Sequence, residues 1–141
     1  MMKIPMALIA DEANVSQEGK LNVLGVFDRI AAGSYPMIHP KMVFVFRIEA
    51  DHGDSGRAVP VRVRLMDMAG GILFEAGGEI VAPAVEPGDF ATAHQLFVLH
   101  GIRFETPGMY RFVINLGDLP PHETPISTVL APWPRDGQRS N

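Results

Sequence analysis

The sequence predicts an all-β chain: an antiparallel two-sheet β-sandwich, immunoglobulin-like or C2-like, of about eight strands. Three observations carry that expectation. Glycine and proline, 14 and 12 of 141 residues, together far exceed their usual combined share of about 12%. Apolar residues recur with a period of two, and the runs are bounded by Gly, Pro, Asp or Asn, as in short strands joined by turns. No long window has the helical period.

Taken in order, the first strand is expected at 4–10, an apolar stretch interrupted by Pro5 and too short for a signal-peptide core. A second, 20–30, ends at Asp28-Arg29, and a third runs over 41–50. The fourth, 58–67, alternates cleanly, with Val61, Val63 and Leu65 on one face and Arg62 and Arg64 on the other. Asp67-Met68-Ala69-Gly70-Gly71 is a hairpin turn leading to the fifth, 72–82. Pro83 to Asp89 is a connection without a clear pattern, and the sixth strand is placed at 93–104. Thr106-Pro107-Gly108 is a turn in which Pro presets φ, and it opens the seventh, 109–116, where Tyr110, Phe112, Ile114 and Leu116 share a face. The eighth covers 124–131. One domain of 1–131 with a C-terminal tail of 132–141, containing Trp133, accounts for the chain. The core is expected to include Leu8, Val23, Phe27, Phe44, Phe46, Ile48, Val61, Val63, Leu65, Phe74, Leu96, Val98, Phe104, Tyr110, Phe112 and Ile114.

Three strands break the alternation. Val23 to Phe27, Met42 to Phe46 and Leu96 to Leu99 are apolar on both faces, whereas a free sandwich strand turns a polar face to water. Their second face needs a cover. Either the 83–93 connection or the Trp133 tail folds over it, or a protein partner or a second copy of the chain does.

Charge and composition exclude several functions. Lys and Arg number 12 against 16 Asp and Glu, for a net charge of −4, and no three basic residues are consecutive, so neither nucleic acid nor a membrane surface is an expected ligand. No stretch approaches the roughly 20 apolar residues of a membrane span. There is no Cys, which removes disulfides and thiolate metal sites and fits a cytoplasmic chain. No serine sits in a Gly-x-Ser-x-Gly elbow. Gly19-Lys20 lacks the rest of a P-loop, and Gly70-Gly71 and Gly77-Gly78 read as turns or bulges.

Candidate ligand sets are few. His94 and His100 share a face of one strand but stand about 20 Å apart, too far for one metal. His122 reads as an exposed loop histidine in a Pro-rich segment. Asp11 and Asp28, placed at opposite ends of a hairpin, are expected about 25 Å apart, with Asp11 bonding its local backbone. Only the acidic loop 49–56 invites Ca²⁺. Its twelfth position counted from Asp51 is Arg62 rather than Glu, so it is no EF-hand. Completion by Asp118 or Glu123 would be required, and a polar turn is the simpler reading.

The block Ala10-Asp11-Glu12-Ala13, followed by Gly19-Lys20-Leu21-Asn22-Val23-Leu24-Gly25-Val26-Phe27-Asp28, resembles the signature of a bacterial family known only as a domain of unknown function. The pattern from Phe104 through Pro107-Gly108 to Tyr110, Phe112 and Ile114 is similar to the penultimate strand of immunoglobulin-like sandwiches. The resemblance implies a bacterial β-sandwich and supplies no catalytic, cofactor or metal residues. The expected function is therefore a non-enzymatic module for protein interaction or self-assembly, without cofactor. The alternative is a Ca²⁺-dependent or small-ligand module for carbohydrate or lipid.

Overall fold

The computed structural model describes residues 1–131; the tail expected at 132–141 lies outside them. Nine strands are present among the described residues: β1 (Lys3–Val15), β2 (Leu21–Val26), β3 (Arg29–Ala32), β4 (Met37–Asp51), β5 (Ala58–Asp67), β6 (Ile72–Val81), β7 (Phe90–Phe104), β8 (Gly108–Leu116) and β9 (His122–Leu130). One 3-10 turn, His52–Asp54, interrupts them. The strands form a four-stranded sheet, β2-β1-β4-β7, and a five-stranded sheet, β3-β9-β8-β5-β6.

The ninth strand arises where one strand was expected over 20–30. The Phe27 N–H donates to Ile9 O of the four-stranded sheet at 2.9 Å, and the next residue's carbonyl, Asp28 O, accepts from Ser127 N of the other sheet at 3.0 Å. The chain changes sheets between these two residues. Beyond the crossing, β3 runs parallel to β9, with Ile30 opposite Thr128. An entirely antiparallel arrangement is thus corrected to a mostly antiparallel one.

The two sheets share one core. Met42, Phe44, Phe46 and Ile48 of β4 face Val63 and Leu65 of β5 and Phe112 and Ile114 of β8. Phe44 stacks on Phe112 with ring centroids 4.1 Å apart and planes 4° from parallel, so aromatic rings join the layers directly. In β5 and β8 the side chains point as their alternation predicts.

The doubly apolar strands do not all follow the expected register. In β7, Phe97 and Leu99 face the core, while Leu96 is half-buried and Val98 is 48% exposed. In β1 the core contact is Ile9 rather than Leu8. A bulge between Lys3 and Met6 resets β1, which puts Ile4 and then Ala7 against the core. A period-two pattern has no phase when both faces are apolar, and a one-residue slip inverts every side chain. Val23 is only half-buried.

A second reset is shared by two strands. β4 turns Met37 and then Met42 inward, and β7 turns Leu99 and then Ile102 inward. The pairings His39 with Ile102 and Lys41 with His100 are nevertheless kept. The kink falls at Pro40, which has no N–H to give, and at Gly101, whose φ of 63° is left-handed.

Candidate interaction surface

Register places the surplus apolar residues in rows across the outer face of the four-stranded sheet. Val26 lies opposite Ala10, Ala10 opposite Val43, and Val43 opposite Val98. The next row is Leu8, Val45 and Leu96. Val43 and Val45 are 1% and 0% exposed in the middle of the sheet, and Leu24, Val26 and Val98 stand open at its sides at 72%, 61% and 48%. Polar pairs lie in the rows on either side of these two. Lys41 donates to the Glu12 carboxylate at 2.8 Å, and Arg47 Nε donates to His94 Nε2 at 3.0 Å. No other strand packs on this face among the described residues.

The 83–93 connection does not provide the cover. Ala82 pairs with the loop after the 3-10 turn, giving its N–H to Arg57 O and accepting from Gly56 N. Val85 is buried, its N–H donates to Ser55 Oγ at 2.8 Å, and its carbonyl lies 2.6 Å from His52 Nδ1. The connection therefore closes one end of the molecule, and β7 begins at Phe90 rather than 93.

At that end the acidic loop is already neutralised. Glu49 pairs with Lys3 at 3.0 Å. Asp51 pairs with the Met1 ammonium, which holds its carboxyl below the ordinary range while the amine is raised in turn. Asp54 is 1% exposed; its carboxylate accepts the Asp51 N–H at 3.0 Å and lies 3.4 Å from Arg57 Nη1. Asp118 lies nearby, lining with Arg57, Met2 and Leu119 a pocket of about 160 Å³. Glu123 pairs instead with Arg111 at 3.6 Å. A divalent cation would have to displace these cations, and no group of three His, Asp or Glu among the described residues could hold one.

Other sequence candidates fall differently. Asp11 sits over Gly25, where an added Cβ would lie 2.5 Å from its Oδ2. Because β1 extends to Val15, Asp11 is mid-hairpin and only three residues' rise from Asp28, about 10 Å, which replaces the expected 25 Å. Its carboxylate makes no backbone hydrogen bond among the described residues; the backbone turn at this end is closed by Ser16 and Lys20. Gly77 and Gly78 lie inside β6 with unbroken register to Arg62 and Val61, so they are neither turn nor bulge; a Cβ on Gly77 would crowd Val61 O at 3.1 Å.

The histidines resolve into edge and interior positions. His94 and His100 lie on one face of β7, opposite Arg47 and Lys41. His122 opens β9 and is half-buried, with Nδ1 unpartnered among the described residues, so it is not an exposed loop residue. The double proline before it ends where β9 begins. His39 Nε2 and Thr124 Oγ1 are likewise unpartnered, a feature sequence reasoning missed. Five clefts of the surface are lined by neither His nor Ser.

Fold and surface together define a small all-β protein of two facing sheets, with its apolar surplus on the outside of one sheet. The chain belongs to the family of unknown function DUF6941, whose model matches residues 5–129. No curated protein matches it. Among solved structures it is similar to the β-glucosidase from Listeria innocua in complex with gluconolactone, at 10% identity and a TM-score of 0.51, over 92% of this chain and 16% of that one. The same enzyme in complex with isofagomine matches at 10% identity and a TM-score of 0.50, over 91% and 16%. The chain thus spans about a sixth of the enzyme's length, and the likeness shows the fold alone. No helix among the described residues is long and apolar enough to cross a membrane.

Proposed function

We propose that the chain is a non-enzymatic interaction module that recognises a protein through the outer face of its four-stranded sheet. The observation that carries this reading is the exposure of Leu24, Val26 and Val98 at the sides of that face, with Leu8 and Leu96 half-buried beside them, while Ala10, Val43 and Val45 between are already buried. Fully burying a Leu or Val side chain contributes roughly 1.5–3 kcal/mol. Leu24, Val26 and Val98 leave that stabilisation uncollected unless a partner covers them. The charged groups in the adjacent rows, Lys41 with Glu12 and Arg47 with His94, border the apolar rows on two sides, and a polar border beside an apolar centre is the usual anatomy of an interface. The absence of cysteine is compatible with a cytoplasmic setting.

Within this reading the fold is an immunoglobulin-like sandwich. Two features support the finer assignment. The parallel β3–β9 pair sits at the edge of the five-stranded sheet, and the Tyr110 hydroxyl donates to Thr106 O at 2.7 Å, as in the tyrosine corner of such domains.

A photo-crosslinking side chain at position 26, compared with one at exposed Met68 on the opposite sheet, tests the interaction reading in cells of the source organism. Adducts confined to position 26 are expected. Equal or no adducts at the two positions would remove the reading.

A further inference from the structure

We infer that a second copy of this chain pairs antiparallel along the free edge of β7, centred on Phe97. Edge pairing goes beyond the reading of the outer face given above: it extends that face into the second copy without covering Leu24 and Val26 on β2, at the far side of the sheet. β7 ends its sheet, with β4 on one side and no strand on the other among the described residues.

The edge is unguarded. Native sheets protect long edges with Lys, Pro, inward charges or brevity. Between Phe90 and Ile102 there is no Lys, Arg, Asp, Glu or Pro; Asp89 and Arg103 stand just outside, and the Gly101 kink closes the stretch. The other edges are protected. β2 has six residues and β3 has four, and β6 carries Glu75, paired with Arg62, and Glu79.

The sequence of this edge is nearly its own mirror image. His94-Gln95-Leu96-Phe97-Val98-Leu99-His100 places Leu96 against Val98, Gln95 against Leu99 and His94 against His100 when reversed about Phe97. A two-fold axis makes each pair occur twice, as an isologous interface requires. Faces are preserved, since His94, Leu96, Val98 and His100 point outward together, opposite Arg47, Val45, Val43 and Lys41. The rows then run on without interruption. Leu8, Val45 and Leu96 of one copy continue into Val98 and Val43 of the partner subunit, and the reverse holds for the other row. The paired stretch carries no formal charge at neutral pH, so two copies of net charge −4 meet where neither carries any.

Sedimentation equilibrium on the full chain tests this, with charge-swap variants reading the register. The wild-type chain is expected to be a dimer. Leu96→Glu alone and Val98→Lys alone should each raise the dimer dissociation constant at least about tenfold, with far-UV circular dichroism unchanged. The two substitutions in one chain should restore association, because each new carboxylate faces a new ammonium across the axis. A monomeric wild type overturns the inference, and so does a dimer that the singles do not weaken or the double does not restore. The crosslinking result at position 26 stands apart from this outcome: adducts there with a monomeric chain would leave the interaction reading intact and assign the face to a different protein.

Discussion

At Gly25 a single hydrogen in place of a side chain lets Asp11 lie across the hairpin. Its φ is 75°, a conformation that costs other residues about 1–3 kcal/mol, and the Asp11 carboxylate occupies the space of a Cβ. Gly25→Ala should therefore destabilise the chain by about 1–3 kcal/mol, read as a lower urea midpoint; Asp11→Ala in the same chain should recover only the steric part. His94 supplies a second residue-scale expectation. Burial, and then the charge of Arg47, hold its imidazole below the ordinary histidine range. The unfolded chain then binds more protons than the folded one between that lowered value and about 6.5. Stability should rise with pH through this window, and the same increment is lost as pH falls back through it. His94→Gln should flatten that slope in urea titrations from about pH 5 to about pH 8, and an unchanged slope would assign it to another histidine.

Along whole strands, the contrast between β5 and β7 explains what could be read in advance. Arg62 and Arg64 gave β5 a wet face, so Val63 and Leu65 could only point inward, and they are fully buried. β7 offered no such contrast from Leu96 to Leu99. Its phase is set instead by its neighbour: Phe97 falls opposite Phe44 and stacks on Phe46, 6.0 Å between centroids. That information is tertiary and has no local trace. The same holds for the crossing at Phe27-Asp28, where apolar character continues through the point at which the chain leaves one sheet for the other. The apolar outer face is legible as an excess of apolar strands, yet its members Leu8, Leu96 and Val98 are expected in the core from sequence alone. Phe44 and Val98 separate the two roles. Phe44→Ala, breaking the interlayer stack, should cost about 3–5 kcal/mol, while Val98→Ser should change chemical stability by well under that in the isolated chain. Similar losses from both would mean that the outer face is part of the core.

Across the whole molecule, a single core joins the sheets, and the crossing at Phe27-Asp28 ties one sheet to the other through backbone hydrogen bonds. Neither sheet buries its inner face without its neighbour. Urea unfolding should accordingly be one transition, with circular dichroism and tyrosine fluorescence tracing the same curve. Separated curves would indicate that the layers unfold independently.

The place of β9 has a consequence for biosynthesis. It lies between β3 and β8, yet it is the last of the nine strands to be translated. Until residues 122–130 have emerged from the ribosome, the nascent chain holds an empty slot bordered by two unpaired strand edges. The second sheet cannot close vectorially behind the moving ribosome, and the growing chain needs either speed or a chaperone's shelter to reach its final strand.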